Sequence, residues 1–275
     1  MKKIWKRFLA YTIDMMVVML IAQSLSGIPF LNKQLDDYKK YYQEYTELVE
    51  NYQKFKLSFT EAFEDKKLTE KEYQSLIKEY PDYEKKLKEF YEDKKLTEKE
   101  YQSLGKEIDS SYQKNYEKVY YQIEKNSITY FIVYLITVFA YFVGFNKITN
   151  GQTLGKKLMR LKITNNNQDS SEVSIGNYII RAIILYQPIY YLVKLIGINT
   201  LSMNQYYNIT SILYDIQYYL ELIIIAMAMI RQDGRGLHDF LAKTRVVLLD
   251  KDGKEIEEST IPLSKKKKII EKPNE

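Results

Sequence analysis

"RFLAYTIDMMVVMLIA", residues 7–22, is an apolar run of helical length that begins with an arginine and contains a carboxylate seven residues later. A charged side chain at the centre of a membrane helix costs about 2.5–3.5 kcal/mol on insertion scales. Asp14 therefore needs a partner that shields it from lipid. The stretch predicts a membrane helix that contributes to a polar centre inside a bundle.

Three further apolar runs resemble the first in length. The four runs are residues 8–31, 127–145, 175–198 and 209–230. Each has about 20 residues, the length that a helix needs to cross a hydrocarbon core about 30 Å thick. The sequence thus predicts an all-α integral membrane protein with four transmembrane helices. A cleaved signal peptide is the alternative for the first run, but the run holds Asp14 and ends without a small-x-small cleavage site, so we expect a retained helix (1–32).

Basic residues predict the orientation of these helices. They precede the first run and follow the second and fourth: Lys2, Lys3, Lys6, Arg7, Lys156, Lys157, Arg160, Arg231, Arg235. Cytoplasmic loops carry the excess of lysine and arginine. We therefore expect both termini, and a basic tail over 250–275, on the cytoplasmic side.

Between the first two runs, residues 33–126 hold 19 lysines and 22 acidic residues, which predicts an extracytoplasmic insert. "EDKKLTEKEYQSL" occurs in it at 64–76 and again at 92–104, an offset of 28 residues or four heptads. Each copy holds a Thr-x-x-Glu pattern, Thr69 with Glu72 and Thr97 with Glu100, which is typical of a helix start.

An aromatic residue recurs every seven positions upstream of the repeat, at Tyr38, Tyr45, Tyr52 and Phe59. This spacing predicts a coiled-coil helix that pairs antiparallel with residues 98–125. The insert holds 14 of the 27 tyrosines. They either form a surface that binds a sugar or a protein partner, or simply pack a thin coiled coil.

The ionisable residues within the apolar runs are the candidates for chemistry. We expect Arg7 at the cytoplasmic interface. The candidate partners of Asp14 are Arg181 and, more distantly, Lys194, and we predict that Asp14 pairs with Arg181 or shares a water-filled cleft with it. In the fourth run, Glu221 is expected near the middle of the membrane and Asp215 closer to the outer interface. Acids inside membranes are typical of proton or cation pathways. The alternative for Asp14 and Glu221 is a buried ion pair that fixes helix register.

Two stretches outside the runs predict a minor cytoplasmic β element: "RLKIT" (160–164) and "KTRVVLLDKDGKEI" (243–256), the latter with an Asp-Gly turn signal. The preceding "NGQTLGKKL" is not a phosphate loop, because its glycines are separated by three residues rather than four.

Four segments resemble the RDD family of bacterial membrane proteins: "RFLAYTID", "GQTLGKKLMRLKIT", "RAIILYQP" and "RQDGRGLHDFLAKTRVV". The family is named for one arginine and two aspartates. The resemblance assigns Arg7 and Asp14 to the first two, and favours Asp239 over Asp233 for the third. It covers 1–32 and 127–249, and gives the insert no counterpart. It implies a multi-pass protein of the bacterial cell membrane, with transport, including cation/proton exchange, as the expected activity.

The predicted polar or transport site comprises eight residues: Arg7, Asp14, Arg181, Glu221, Asp233, Arg235, His238 and Asp239. His238, the only histidine, either titrates near neutral pH or makes structural hydrogen bonds. The expected partners are the lipid bilayer, a small cation or proton, a second copy of the chain and an extracytoplasmic protein, but no nucleic acid.

The alternative function is that of a membrane scaffold or accessory protein whose outer coiled coil recruits a partner. Cysteine is absent, so no thiol chemistry is expected. The sequence holds no catalytic triad pattern or calcium-loop spacing. We therefore expect no enzyme activity, no cofactor and no metal.

Overall fold

The computed structural model describes residues 2–64, 69–79, 81–93, 97–166, 172–231 and 233–256. The lysine-rich end of the tail and most of "NNNQDSSE" (165–172) lie outside these ranges. The chain divides into two compact units. The membrane unit comprises Met1–Leu25, Ile132–Lys194 and Tyr207–Glu275, and the insert unit comprises Ser26–Phe131 and Leu195–Tyr206.

Three helical stretches are long and apolar enough to cross a membrane: Ile4–Ser26, Ile128–Ile148 and Met203–Ile230. The first lies in α1 (Lys2–Ser26) and the last is α11. The second consists of α6 (Ile128–Phe139), a π-helical segment (Ala140–Phe145) and α7 (Asn146–Ile148). Many of their large apolar side chains are exposed in the isolated chain, as lipid-facing residues must be. These stretches confirm the predicted apolar helices.

The predicted single helix over 175–198 is wrong. The structure has two helices there, α9 (Ile175–Leu185) and α10 (Pro188–Thr200), at an angle of 66°. Proline lacks an N–H and disfavours the helical conformation in the residue before it. Gln187 accordingly has a positive φ of 56°. The described part of the chain therefore has three candidate spans, or four if the bent pair crosses as one.

The predicted β element is confirmed as a two-stranded antiparallel sheet. Strand β1 (Leu161–Asn165) pairs with β2 (Thr244–Leu248), with Ile163 opposite Val246. Each strand follows a short helix, α8 (Leu154–Leu158) before β1 and α12 (Leu237–Leu241) before β2. The buried side chains of the strands form a small apolar centre that fixes both short helices.

The insert unit is helical, with α2 (Leu35–Glu64), α3 (Glu70–Glu79), a 3-10 turn (Pro81–Tyr83), α4 (Glu84–Asp93) and α5 (Glu98–Lys125). Helices α2 and α5 run antiparallel, because residues later in α2 contact residues earlier in α5. Tyr52 stacks on Tyr112 with 3.7 Å between ring centroids, and Phe59 on Tyr101 with 4.9 Å. The coiled-coil geometry itself stays a prediction.

The core of the insert unit is a cluster of seven buried residues: Phe55, Phe59, Tyr73, Leu76, Leu87, Leu104 and Ile108. The first predicted helix start is confirmed, since the Glu72 carboxylate accepts hydrogen bonds from Thr69 N at 2.8 Å and Thr69 Oγ1 at 2.6 Å. The equivalent contact of Glu100 in the second copy lies outside the described side chains.

Candidate functional site

Asp239 is the centre of a buried ionic cluster. It lies on α12 and is fully buried. Arg181 of α9 donates to its Oδ1, and Arg7 of α1 donates to its Oδ2. His238 Nε2 lies 3.2 Å from Oδ2. Three helices that are far apart in the sequence therefore meet on one carboxylate.

The electrostatics of this cluster favour an ionised Asp239. Burial raises the pKa of the Asp239 carboxyl, but the positive charges of Arg181 and Arg7 outweigh burial and hold that pKa well below its usual range. Arg181 Nη1 also donates to Thr244 Oγ1 at 2.7 Å, which connects the cluster to β2. The arrangement is a buried ion network with both carboxylate oxygens occupied.

Asp14 forms a second buried centre, and its carboxylate accepts four hydrogen bonds. Its Oδ1 accepts from Gly155 N and from Tyr141 OH, each at 2.8 Å. Its Oδ2 accepts from Thr153 Oγ1 at 2.5 Å and from Lys156 Nζ at 3.4 Å. Asp14 thereby attaches α1 to the start of α8.

The prediction that Asp14 pairs with Arg181 is wrong, because its cation is Lys156. The loop after the second span turns back against α1, and Gly155 permits the approach. A Cβ on Gly155 would overlap Ala10 O and lie 2.9 Å from Asp14 Oδ1. Burial lowers the pKa of Lys156 to about 8, although the nearby Asp14 charge opposes that shift.

Arg7 is bound within the protein, and its expected position at the cytoplasmic interface stays a prediction. Its guanidinium is mostly buried, and besides Asp239 it donates to Gly234 O in the turn after α11. Sequence reasoning missed the partner of Asp14 because Lys156 lies on the short helix α8, which the hydropathy pattern does not reveal.

The predicted site residues that follow α11 belong to two separate groups. Asp233 is 40% exposed and bonds Arg231 and Arg235, at 2.9 and 2.7 Å. The Arg231 hydrogen bond is the main cause that holds the pKa of Asp233 below its usual range. Asp239 belongs to the buried network instead. The geometry therefore favours Asp239 over Asp233 as the structurally central acid.

His238 is buried, and its Nδ1 has no hydrogen-bond partner among the residues that the structure describes. Burial lowers the pKa of His238 to about 4, against the attraction of Asp239. The imidazole is therefore neutral at pH 7. This favours the structural interpretation of His238 over titration near neutrality.

Glu221 occupies a different position from both clusters. It is half-buried on α11, and its Oε1 accepts from Gln187 Nε2 at 2.8 Å and from Gln217 Nε2 at 3.3 Å. Gln187 is the residue at the break between α9 and α10. Asp215 is exposed. Sequence reasoning missed Gln187, which is uncharged, although the following proline could have indicated it.

No group of three or more metal-ligating side chains occurs in the described part of the chain. Apolar helices of membrane-crossing length around buried ionic clusters define a multi-pass membrane protein in a lipid bilayer. Residues 113–243, just under half of the chain, match the model of the RDD family, which is consistent with an RDD family membrane protein. Comparisons with curated proteins and with solved structures give no significant match.

The matched segment contains Arg181, Glu221 and Asp239. It begins at residue 113, within the last part of the predicted insert, so Arg7 and Asp14 of α1 lie outside it. Their assignment to the family arginine and first aspartate stays a prediction. Their contacts agree with it, since Arg7 bonds Asp239 directly and Asp14 bonds the loop that leads into β1.

Proposed function

We propose that this RDD family protein carries a small cation or a proton across the membrane, and that Glu221 is the acid that binds it. The observation that carries the proposal is the contact between Glu221 and Gln187 at the break in α9 and α10. Among the described residues, Glu221 Oε2 accepts no hydrogen bond, so one carboxylate oxygen is available to a proton or a cation.

The break itself supports such a role. A helix interrupted within a bilayer leaves backbone groups without intrahelical partners, and it is tolerated where the backbone is buried in protein or lines a polar cavity. Transport proteins use such broken helices to bind ions near the middle of the membrane. A carboxylate beside the break is therefore well placed to bind and release a positive charge.

Asp14 and Asp239 are less suited to bind and release a transported cation or proton. Both oxygens of each carboxylate already accept hydrogen bonds from the protein. A transported ion would have to displace those bonds. We assign the two acids, with Arg7 and Arg181, to a frame that holds α1, α9 and α12 together around the pathway.

The proposed topology has four crossings, with both termini in the cytoplasm. Arg7, at the start of α1, bonds Asp239, which follows the end of α11. The two ends must then lie on the same side of the membrane, which requires an even number of crossings. Of the two counts that the helices allow, only four satisfies this, so the bent pair α9 and α10 would cross as one broken span.

Proteoliposomes with an internal pH dye test the transport step. Glu221→Gln keeps the side-chain shape and removes the charge, and we expect it to abolish pH change driven by an imposed gradient of Na⁺ or K⁺. Asp215→Asn, on the same helix but exposed, is the matched control and should retain flux. Equal flux in the wild type, Glu221→Gln and protein-free liposomes would refute transport of these ions.

A second candidate function is that of a scaffold, favoured by the insert unit with its own apolar core. A unit of this kind presents a separate helical surface outside the membrane in the proposed topology. Replacing residues 36–124 with a short Gly/Ser linker should then abolish a specific co-purifying protein while the remaining protein stays in the membrane. Identical co-purification with and without these residues would exclude the insert as the binding surface.

A further inference from the structure

Helix α11 has one buried stripe in the membrane unit. Its residues Thr210, Gln217, Glu221 and Ile224 are buried or half-buried and pack against the protein. At 100° per residue, these positions form one narrow stripe. Most of the remaining surface of this helix is exposed among the described residues.

A regular pattern, here called the outer seam, lies on this exposed surface about 120° around the helix from the buried stripe. Its members follow one another at alternating intervals of three and four residues, and all are exposed: Asn208, Ser211, Asp215, Tyr218, Leu222, Ile225 and Met229. A 3-4 spacing is the pattern by which two helices pack along a common seam. Helices in membranes use the same geometry, at crossing angles of about 20°.

The outer seam is half polar, which is unusual for a surface that faces lipid. Asp215 lies 15 residues before Ile230, or about 22 Å along the helix axis, within a hydrocarbon core about 30 Å thick. Lipid offers Ser211 and Asp215 no hydrogen-bond partner, whereas Asn208, about 33 Å from Ile230, lies just beyond the core. Ionisable residues in membrane helices almost always face protein or a water-filled cavity. The seam thus needs protein against it.

We propose that the outer seam binds the outer seam of a second copy of the chain, which forms a parallel dimer with α11 at its centre. Copies inserted in the same orientation present the same residue at the same depth. The amide of Asn208 and the hydroxyl of Ser211 both donate and accept hydrogen bonds, so each can bind its own counterpart. Leu222, Ile225 and Met229 pack in the apolar half.

Asp215 fits the same arrangement. Two facing carboxyls at one depth cannot both ionise at low cost, but they can share one proton as a hydrogen-bonded pair. An aspartate that is exposed in the single chain thereby becomes satisfied in the dimer. The inference depends on the membrane placement of α11 and not on ion transport.

The absence of cysteine makes disulfide cross-linking a direct test. Ser211→Cys and Ile212→Cys are neighbours at almost the same depth but 100° apart, and both positions are exposed. Leu222→Cys and Ile223→Cys form a second such pair. After oxidation in native membranes, Ser211→Cys and Leu222→Cys should shift to the dimer mass, whereas Ile212→Cys and Ile223→Cys should stay monomeric.

If one variant of a pair does not accumulate in the membrane, the comparison within the other pair still tests the proposal. Cross-linking that is equal within both pairs would indicate random collision and overturn the proposal, as would the absence of dimer from both seam positions. Adding Asp215→Ala to Leu222→Cys should reduce the dimer fraction if the polar half holds the helices together. Unchanged cross-linking in that double variant would overturn the role of Asp215.

Discussion

The two buried acids are satisfied by different chemistry. Asp239 lies between two guanidinium groups, whereas Asp14 accepts mainly from neutral donors and from one ammonium group. Two buried arginines need a negative charge near them, since an unpaired charge in a protein interior is costly. Asp239 is therefore the acid on which the charge balance of the cluster depends.

Asp239→Asn should strongly destabilise the protein. The variant removes the charge that neutralises Arg7 and Arg181, and breaking a buried pair in this way costs about 3–5 kcal/mol. Thermal unfolding in detergent should show a large fall in Tm. Asp233→Asn is the matched control, because its ion pairs are exposed and worth about 1 kcal/mol or less. Equal shifts in the two variants would contradict the central role of Asp239.

Gly155→Ala tests the close approach of α8 to α1. The added methyl group would overlap Ala10 O and press on Asp14 Oδ1, and forced overpacking typically costs about 1–3 kcal/mol. We expect a lower Tm and less protein in the membrane fraction. Gly144→Ala serves as the control, since a Cβ there meets nothing within 4 Å. A wild-type Tm for Gly155→Ala would show that the loop can move away from α1.

His238 should make stability depend on pH below neutrality. Its pKa is about 4 in the folded protein against an ordinary value of 6.5 for histidine, so the unfolded chain binds the proton first as pH falls. The free energy of unfolding should thus decrease between pH 6.5 and 4, by on the order of 3 kcal/mol in total. Unfolding of His238→Gln should show a flatter pH dependence over that interval; parallel curves for variant and wild type would refute the assignment.

Helices and strands that follow from a periodic pattern of apolar residues were predictable from the sequence. A feature that depends on a single residue was not. Hydropathy predicts α1 and α11, and alternation predicts the strands β1 and β2, which pair in the structure. The Asp-Gly turn signal agrees with the bridge between Leu249 and Glu255. The break at Gln187 was not predicted, because hydropathy averaged over an apolar run does not reveal the effect of one proline. The site was less predictable still, since α8 and α12 have five residues each and no periodic signal.

A substitution in the core of the insert should destabilise the insert without affecting the ionic clusters of the membrane unit. Leu87 on α4 is fully buried in its core, so Leu87→Ala should cost about 2–5 kcal/mol and make the insert sensitive to limited proteolysis. Leu57→Ala on α2 is the control, because Leu57 is largely exposed and its truncation should cost about 0.5 kcal/mol or less. Equal protease resistance of both variants would contradict the assigned core.

In the membrane unit, the first helix contacts the segment that follows the last span. Arg7 and Asp239 are 232 positions apart, and their contact unites the first helix with the segment after the last. Local sequence patterns carry no information on such a pair, and only the resemblance to a family named for these residue types suggested their common role. The same contact supports the even number of crossings.

Single cysteines report the side of the membrane on which each segment lies, and the chain has none of its own. Glu44→Cys lies on α2 of the insert and Asp252→Cys in the turn after β2, and both positions are exposed. With four crossings and a cytoplasmic basic end, a membrane-impermeant maleimide should label Glu44→Cys in intact cells and Asp252→Cys only after lysis. Trp5→Cys, near Arg7, should behave like Asp252→Cys, because the Arg7–Asp239 contact requires both ends on one side. Labelling of Trp5→Cys and Asp252→Cys on opposite sides would mean an odd number of crossings, and the ionic contact between α1 and α12 could not then exist in the membrane.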